Sequence, residues 1–110
     1  MVRSAMQRLH YDLAAPRAAS GTRPMALVGV VASGNLEVLA ERKGSADRCT
    51  VEIFTPVRGF DALWSAVIAD FVERRDAGGL HLSINDGGAR PDTVTLRLAQ
   101  AVRVIEAEEA

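Results

Sequence analysis

Residues 26–41 read ALVGVVASGNLEVLAE, two apolar runs separated by a short polar break. The first run starts at Met25 and is apolar throughout, which is typical of a strand covered on both faces. Gly34-Asn35 is a favourable hairpin dipeptide because both residues tolerate a positive φ angle. The pattern predicts two strands joined by a tight hairpin with Ser33 at its tip. Such a turn needs the glycine, but it does not need the serine hydroxyl.

The rest of the chain alternates between strand and helix patterns. Residues 48–57, RCTVEIFTPV, alternate apolar with polar side chains, which predicts a third strand. Three consecutive strands joined by short turns favour an antiparallel meander. Residues 58–79 repeat apolar side chains at helical spacing and place Trp64 in the core. LHLSIND (80–86) is a fourth strand. Pro91 can then open a second helix, although residues 94–98 also fit a strand. The predicted fold class is α+β, a mostly antiparallel four-stranded sheet with two helices packed on it in the order β-β-β-α-β-α.

The N-terminal segment differs in composition from the remainder. Residues 1–24 contain four arginines against one acidic residue, and AAPRAASGTRP (14–24) has no period. We expect residues 1–24 to be a flexible basic N-terminal extension, with at most a weak helix over 5–13, and residues 25–110 to be the folded domain. The extension lacks the apolar core of a signal peptide, and no run approaches the roughly 18 apolar residues of a membrane span.

Charge and cysteine content limit the class of partner and the compartment. Residues 25–110 contain nine basic and thirteen acidic side chains, a net charge of −4, so they offer no basic field for nucleic acid. The single cysteine, Cys49, cannot form an internal disulfide and is expected to be a buried strand residue. These features predict a cytoplasmic protein with neither nucleic acid nor membrane as a partner.

Catalytic machinery is hard to find. His10 lies in the predicted extension, His81 points outward from a strand, and one cysteine with two histidines cannot supply the usual metal cluster. Nucleophile-elbow, Walker and dinucleotide motifs are all missing. The glycines of NDGGARP fit a strand-to-helix turn better than a phosphate nest. Solvated side chains explain the possible carboxylate pairs better than acid–base chemistry does; these pairs are Asp86 with Asp92 and Glu37 with Glu41. We therefore expect no catalytic residue and no metal.

Ser33 is the residue left to explain. At a hairpin tip its hydroxyl is exposed, and the neighbouring Gly34 leaves room for another protein's active site. No base is expected nearby to make the serine a nucleophile by itself, so a transferase would have to supply one. The spacing alone allows two interpretations: a site of post-translational attachment, or an ordinary hydrophilic turn residue.

ALVGVVASGNLEVL, together with INDGGARPDTVTLRLAQAV (84–102), resembles the acyl carrier (delta) subunit of malonate decarboxylase. The likeness extends over roughly Met25 to Glu106. It implies that residues 25–110 are an acyl carrier domain in which Ser33 bears 2′-(5″-phosphoribosyl)-3′-dephospho-coenzyme A (2'-(5''-phosphoribosyl)-3'-dephospho-CoA) through a phosphodiester. Gly34 would provide access and turn geometry. Two positions depart from the family pattern: Asn35 replaces the usual aspartate, and Gly87 replaces a frequent aromatic residue.

The resemblance also implies a non-catalytic role and a set of partners. Transferase subunits of malonate decarboxylase would exchange the acetyl thioester on the arm for a malonyl thioester. Decarboxylase subunits would then release CO₂ and regenerate the acetyl thioester. A phosphoribosyl-dephospho-CoA transferase would attach the arm, and a malonyl-CoA:carrier transacylase would load it.

Other interpretations remain open at this stage. A citrate lyase-type acyl carrier subunit would bear a closely related group. An unmodified protein-interaction domain would use its helix stripe or a sheet edge, and a small enzyme would be active alone. Ordinary phosphopantetheine carriers fit worse, because they attach their arm at a helix start and Ser33 lies between strand patterns.

Overall fold

In this computed structural model, the described part of the chain, residues 6–107, forms a five-stranded sheet with two helices on one face. The strands are β1 (Gln7–Ala14), β2 (Met25–Gly29), β3 (Leu36–Arg42), β4 (Arg48–Thr55) and β5 (Leu80–Asp86). Helix α1 (Asp61–Arg74) connects β4 to β5, and helix α2 (Pro91–Glu106) follows β5. The fold class is α+β, as predicted.

The sheet is mixed, so the prediction of a mostly antiparallel four-stranded sheet is wrong in strand number and in one central pairing. The strand order is β1-β4-β5-β3-β2, and β4 pairs with β5 in parallel while the other neighbours pair antiparallel. The parallel pair follows from α1, because a crossover helix returns the chain to the end of the sheet where β4 began.

The predicted meander is only half correct. β2 and β3 form the expected antiparallel hairpin, with Leu27 opposite Leu39. β4 does not pair with β3, however, because β5 lies between them and pairs with both. The turn at residues 43–47 therefore passes over the start of β5 instead of closing a second hairpin.

The fifth strand comes from the segment predicted to be a flexible extension. β1 pairs antiparallel with β4 along its whole length, so the helix predicted over residues 5–13 is wrong from residue 7 onward; residue 5 lies outside the described residues. Leu9, Tyr11 and Leu13 pack against the core, and the residues between them are exposed. This period of two was present in the sequence as a strand signal.

The core lies between the sheet and the helices. Its sheet side consists of alternate residues of the three central strands: Leu36, Val38, Ala40, Cys49, Val51, Ile53, Leu80, Leu82 and Ile84. Cys49 is fully buried, and burial together with the nearby Asp12 charge raises the pKa of its thiol to about 12. Trp64 is 7% exposed, which confirms its predicted place in the core.

Helix α2 settles the ambiguity between strand and helix. Pro91 occupies its first turn, as predicted, and the predicted apolar stripe is buried: Val94, Leu98, Ala101, Val102 and Ile105. Leu96, which the strand alternative would have placed on the same face, is 52% exposed. Neither helix in residues 6–107 is long and apolar enough to cross a bilayer.

Strand β2 is not covered on both faces, contrary to the prediction. It forms one edge of the sheet, and Met25 and Leu27 are more than half exposed while Ala26 is buried. The helices cover only one face of the sheet, so alternate residues of this apolar run face solvent. An apolar run by itself cannot distinguish a central strand from an edge strand.

Candidate functional site

Ser33 lies in the six-residue connection between β2 and β3, here called the Ser33 loop (residues 30–35). The connection is therefore longer than the tight hairpin that was predicted. Within the loop, the Asn35 N–H donates to the Ala32 carbonyl oxygen at 2.9 Å, which places Ser33 and Gly34 at the centre of a β-turn. Gly34 has a φ angle of +76°, as the turn prediction requires, whereas Asn35 does not adopt a positive φ angle. The turn thus depends on the glycine alone.

A second turn holds the Ser33 loop in place. This β5–α2 turn (residues 87–90) connects β5 to α2. The Gly34 N–H donates to the Gly87 carbonyl oxygen at 3.0 Å, and the Gly87 N–H donates to the Asn35 carbonyl oxygen at 2.8 Å. A Cβ atom on Gly87 would overlap the Ala32 carbonyl oxygen. The absence of a side chain at Gly87 therefore lets the two loops pack together.

Ser33 remains accessible in spite of these restraints. The residue is exposed, and apart from the two chain neighbours of Gly34 nothing in the structure lies within 4 Å of the position that a Cβ atom on Gly34 would occupy. Val30 and Val31, which precede the turn, are also about half exposed. The loop therefore presents a hydroxyl on a fixed base with open space beside it.

Asp86 stabilises the β5–α2 turn from inside the protein. It is 4% exposed; one carboxylate oxygen accepts the Ala89 N–H and the other accepts the Thr55 hydroxyl, both at 2.8 Å. The Thr55 oxygen in turn accepts the Val57 N–H at 3.1 Å. Asp92, by contrast, is exposed at the start of α2. The carboxylate of Asp86 thus has a structural role, and the prediction that it is solvated is wrong, whereas Asp92 is exposed as predicted.

Arg97 brings a positive charge to the Ser33 loop. Its Nε–H donates to the Asn35 side-chain oxygen at 3.2 Å, and its Nη1 donates to the Gln100 side-chain oxygen at 2.9 Å. Within residues 6–107, no carboxylate lies at ion-pair distance from Arg97. Sequence reasoning missed this residue, because nothing in the sequence indicates that the middle of α2 lies beside the Ser33 loop.

A shallow apolar groove of about 200 Å³ borders the β5–α2 turn. Its walls come from the segment before α1, from α1 and from the start of α2, and they include Phe60, Leu63, Trp64 and Val94. Phe60 is 47% exposed and Leu63 is 41% exposed. The predicted apolar stripe before and along α1 is therefore only partly core, and its first turn lines this groove.

The histidines are remote from the Ser33 loop. His81 lies at the start of β5, whereas the loop contacts the turn that follows the end of that strand. His81 is partly buried and not exposed as predicted, and its ring Nδ1 lies 2.6 Å from the Thr50 hydroxyl. His10 is exposed on β1, at the opposite edge of the sheet from β2.

The second candidate carboxylate pair, Glu37 and Glu41, contacts neighbouring side chains. Glu37 and Glu41 share one face of β3, as their spacing predicts. Glu37 accepts a hydrogen bond from the Asn85 side chain at 3.1 Å, and Glu41 lies 3.4 Å from the Lys43 ammonium. In the part of the chain that the structure describes, no group of three or more His, Cys, Asp or Glu side chains could hold a metal ion.

Comparison with known proteins extends this local picture to the whole chain. Residues 23–105 match the acyl carrier protein family model described as "Malonate decarboxylase delta subunit (MdcD)". The chain belongs to the malonate decarboxylase acyl carrier family. The match includes both the Ser33 loop and the β5–α2 turn, the two segments on which the sequence resemblance rested.

Individual relatives of the malonate decarboxylase acyl carrier family cover most of the chain. A malonate decarboxylase acyl carrier protein from Bradyrhizobium diazoefficiens is 63% identical over 87 residues, which cover 79% of this chain and 83% of that protein. One from Xanthomonas euvesicatoria is 47% identical over 105 residues, covering 96% of this chain and all of the relative.

A solved structure has the same fold. A chain of a Pseudomonas malonate decarboxylase hetero-tetramer, crystallised in complex with malonate, superposes with a TM-score of 0.76 at 31% identity. The superposition covers 91% of this chain and 99% of the Pseudomonas chain. The resemblance predicted from the sequence is therefore confirmed at the level of the family.

Proposed function

We propose that this chain is a carrier subunit of malonate decarboxylase that bears phosphoribosyl-dephospho-coenzyme A on the Ser33 hydroxyl. One observation carries the proposal: in a chain of this family, Ser33 is exposed at the centre of a turn, and the next two residues, Gly34 and Asn35, are hydrogen-bonded to Gly87. A fixed base with a free hydroxyl suits the attachment of a long arm.

The residues of the site fit a phosphodiester-linked group. Ser33 supplies the oxygen for the ester, and Gly34 leaves open space next to it. Arg97 offers a guanidinium without a carboxylate partner in the described residues, close to where a phosphate would carry its negative charge. The Ser33 oxygen would lose its proton to a base of the modifying transferase as its bond to phosphorus forms. The bond from that phosphorus to the diphosphate of a triphosphate donor would break in the same step and release diphosphate.

When attached, the group supplies a thiol on a long arm, which holds acetyl and malonyl groups as thioesters while partner subunits act on them. The contribution of this chain is to tether and orient. A tether attached to a fixed loop keeps the acyl group at millimolar-scale effective concentration near each partner's active site. The Ser33 loop is hydrogen-bonded to the β5–α2 turn. The volume that the acyl group can reach is therefore set by the length of the arm and not by movement of the loop.

The proposed partners follow from the same role. They are the transferase and decarboxylase subunits of malonate decarboxylase, the phosphoribosyl-dephospho-CoA transferase that modifies Ser33, and a malonyl-CoA:carrier transacylase. The similarity to a chain of the Pseudomonas hetero-tetramer supports assembly with other subunits. We place the protein in the cytoplasm, where its single buried thiol, Cys49, would stay reduced.

The test is the mass of the protein after co-expression with the modifying enzymes. We expect wild-type protein to gain one phosphoribosyl-dephospho-coenzyme A, recovered on the peptide that contains Ala32-Ser33-Gly34. Ser33→Ala should stay unmodified and give an inactive decarboxylase complex, with a stability change within about 0.5 kcal/mol, because an exposed hydroxyl contributes little to folding.

Ser45 provides the matched control. It is exposed in the β3–β4 connection and also neighbours a glycine with positive φ, Gly44. Ser45→Ala should be modified and active like wild type. A bare phosphopantetheine adduct on Ser33 would reject the proposed group, and an unmodified wild-type chain in an active complex would favour an interaction domain.

A further inference from the structure

We infer that Arg97 binds the phosphodiester on Ser33, so that its guanidinium forms an anion subsite which orients the first bonds of the arm. The inference deepens the proposed function and rests on it, because the anion is the phosphodiester that attachment creates. It assigns Arg97 a positioning role, since the residue is remote from the thiol that carries the acyl group.

Arg97 is one of six arginines in residues 6–107 that have no carboxylate within ion-pair distance. Five arginines lie within ion-pair distance of a carboxylate: Arg8, Arg17, Arg48, Arg74 and Arg90. Of the other five unpaired arginines, three are exposed: Arg58, Arg75 and Arg103. Arg23 precedes β2, at the end of that strand away from the Ser33 loop. Arg42 donates to four backbone carbonyl oxygens, which gives it a structural role. Arg97 instead contacts two neutral amide oxygens, which orient its charge without compensating it. A partly buried guanidinium of this kind favours an anion, and its planar donors match a phosphate.

The backbone that follows Ser33 offers little competition for the phosphate. Turns often bind anions through free N–H groups. Here the N–H groups of Gly34 and Asn35 donate to the carbonyl oxygens of Gly87 and Ala32. The Leu36 N–H donates to the Asn35 side chain at 2.8 Å. The three amides that follow Ser33 are therefore satisfied, and the guanidinium of Arg97 is the charged donor at the loop.

Asn35 fixes the position of that donor. Its side-chain oxygen accepts from both the Leu36 N–H and the Arg97 Nε–H, so the guanidinium is held two residues along the chain from Ser33. Gly29 leaves room beside Arg97, since a Cβ atom there would make a tight contact of 3.1 Å with the Arg97 Cδ, in addition to its overlap with the Leu36 carbonyl oxygen. A carboxylate at position 35 would neutralise Arg97, whereas the amide of Asn35 leaves its full charge for the phosphodiester.

The experiment compares apo and modified protein by NMR and thermal melting. After mass spectrometry has confirmed the adduct on Ser33, we expect the Arg97 Nε–Hε signal to shift between the apo and modified forms of the wild-type protein. The ³¹P resonance of the phosphodiester should differ from its value in urea-unfolded protein. We also expect modification to raise the melting temperature of the wild-type protein, because Arg97 then gains an anion to bind. In Arg97→Gln the ³¹P resonance should move towards the unfolded value, and this rise in melting temperature should disappear. Arg97→Lys, which keeps the charge, should retain part of both effects.

Arg103→Gln is the matched control, because Arg103 is exposed in the last turn of the same helix. It should behave like wild type. Identical ³¹P resonances in wild type and Arg97→Gln, or an Arg97 signal that does not move in the wild type on modification, would overturn the inference while the adduct upheld the proposed function. Absence of any adduct on Ser33 would overturn both. The comparison of the Arg97 signal needs only wild-type protein, so a poorly folded or unmodified variant does not prevent a decision.

Discussion

At the scale of the residue, the candidate site depends on two glycines that act differently. Gly34 is needed for its conformation, because its φ angle of +76° is costly for any residue with a side chain. Gly87 is needed for space, because a side chain there would collide with the Ala32 carbonyl oxygen. The first requirement is visible in the sequence as a turn motif. The second depends on which loop lies opposite, so Gly87 appeared in the sequence only as a departure from the family pattern.

Gly34→Val tests whether the glycine serves access as well as turn geometry. We expect unfolding free energy to fall by about 1–2 kcal/mol, because a β-branched residue is strained at positive φ. We also expect slower modification of Ser33, because the new side chain would stand beside the hydroxyl. Thermal melting and a time course of intact mass measure the two effects separately.

Gly44→Val is the control for strain alone. Gly44 also has a positive φ angle, +99°, and open space where a Cβ would lie, but it belongs to the β3–β4 connection. The variant should lose comparable stability and be modified at the wild-type rate. Wild-type modification of Gly34→Val would show that the glycine has no role in access.

At the scale of the element, the spacing of apolar residues predicted whether a segment is a helix or a strand better than it predicted where that segment lies in the fold. The helices were predicted correctly, but part of the apolar stripe before and along α1 lines a surface groove. β2 was predicted to be covered on both faces because it is apolar, yet it is a half-exposed edge strand. β1 was missed because the composition around it is rich in alanine and arginine, although its alternation is regular. Each error concerns which neighbours the element meets.

Asp86→Ala should weaken the junction of β5 and α2. The substitution removes the partner of the Thr55 hydroxyl and of the Ala89 N–H, and leaves these buried groups unsatisfied. We expect unfolding free energy to fall by about 2–3 kcal/mol in chemical denaturation. Modification of Ser33 should also slow, because the β5–α2 turn supports the Ser33 loop.

Asp92→Ala is the matched control for the same motif. Asp92 is exposed in the first turn of α2, where a negative charge favours the helix dipole by less than about 1 kcal/mol. It should melt close to wild type and be modified normally. Equal destabilisation by both variants would mean that the buried hydrogen bonds of Asp86 do not hold the turn.

At the scale of the whole molecule, the described residues place the candidate attachment site away from both histidines. The Ser33 loop lies at the end of the sheet where β5 runs into α2, whereas His81 lies at the other end of β5 and His10 at the far edge strand. Of the carboxylates on the strand ends beside the loop, Asp86 accepts two hydrogen bonds and Glu37 accepts one from the Asn85 side chain. This layout suits a molecule that presents Ser33 to the active sites of other proteins.

The isolated apo-protein should therefore have no decarboxylase, transferase or thioester hydrolase activity. Release of CO₂ from malonate and hydrolysis of acetyl thioesters, each measured with the purified chain, provide the check. His10→Ala and His81→Ala should both support normal decarboxylation by the assembled complex. Loss of activity in a stably folded His81→Ala variant would indicate a functional polar site on the open face of the sheet.

The sequence by itself determined the α+β class, both helices, four of the five strands, the buried positions of Cys49 and Trp64, and the family. These features depend on local periods and short motifs that a chain carries along its length. The sequence also singled out Ser33, because its hydroxyl had no role in the predicted turn.

Only the tertiary structure decided the neighbours. The pairing of β4 with β5, the edge position of β2, the close packing of Gly87 on the Ser33 loop and the approach of Arg97 to Asn35 all join residues that are distant in sequence. Such contacts depend on strand order and helix placement, which are set by burying all the apolar faces of the chain at once. No local pattern records that outcome, which is why the sequence singled out Ser33 and Gly34 but not the residues of other elements that pack beside them.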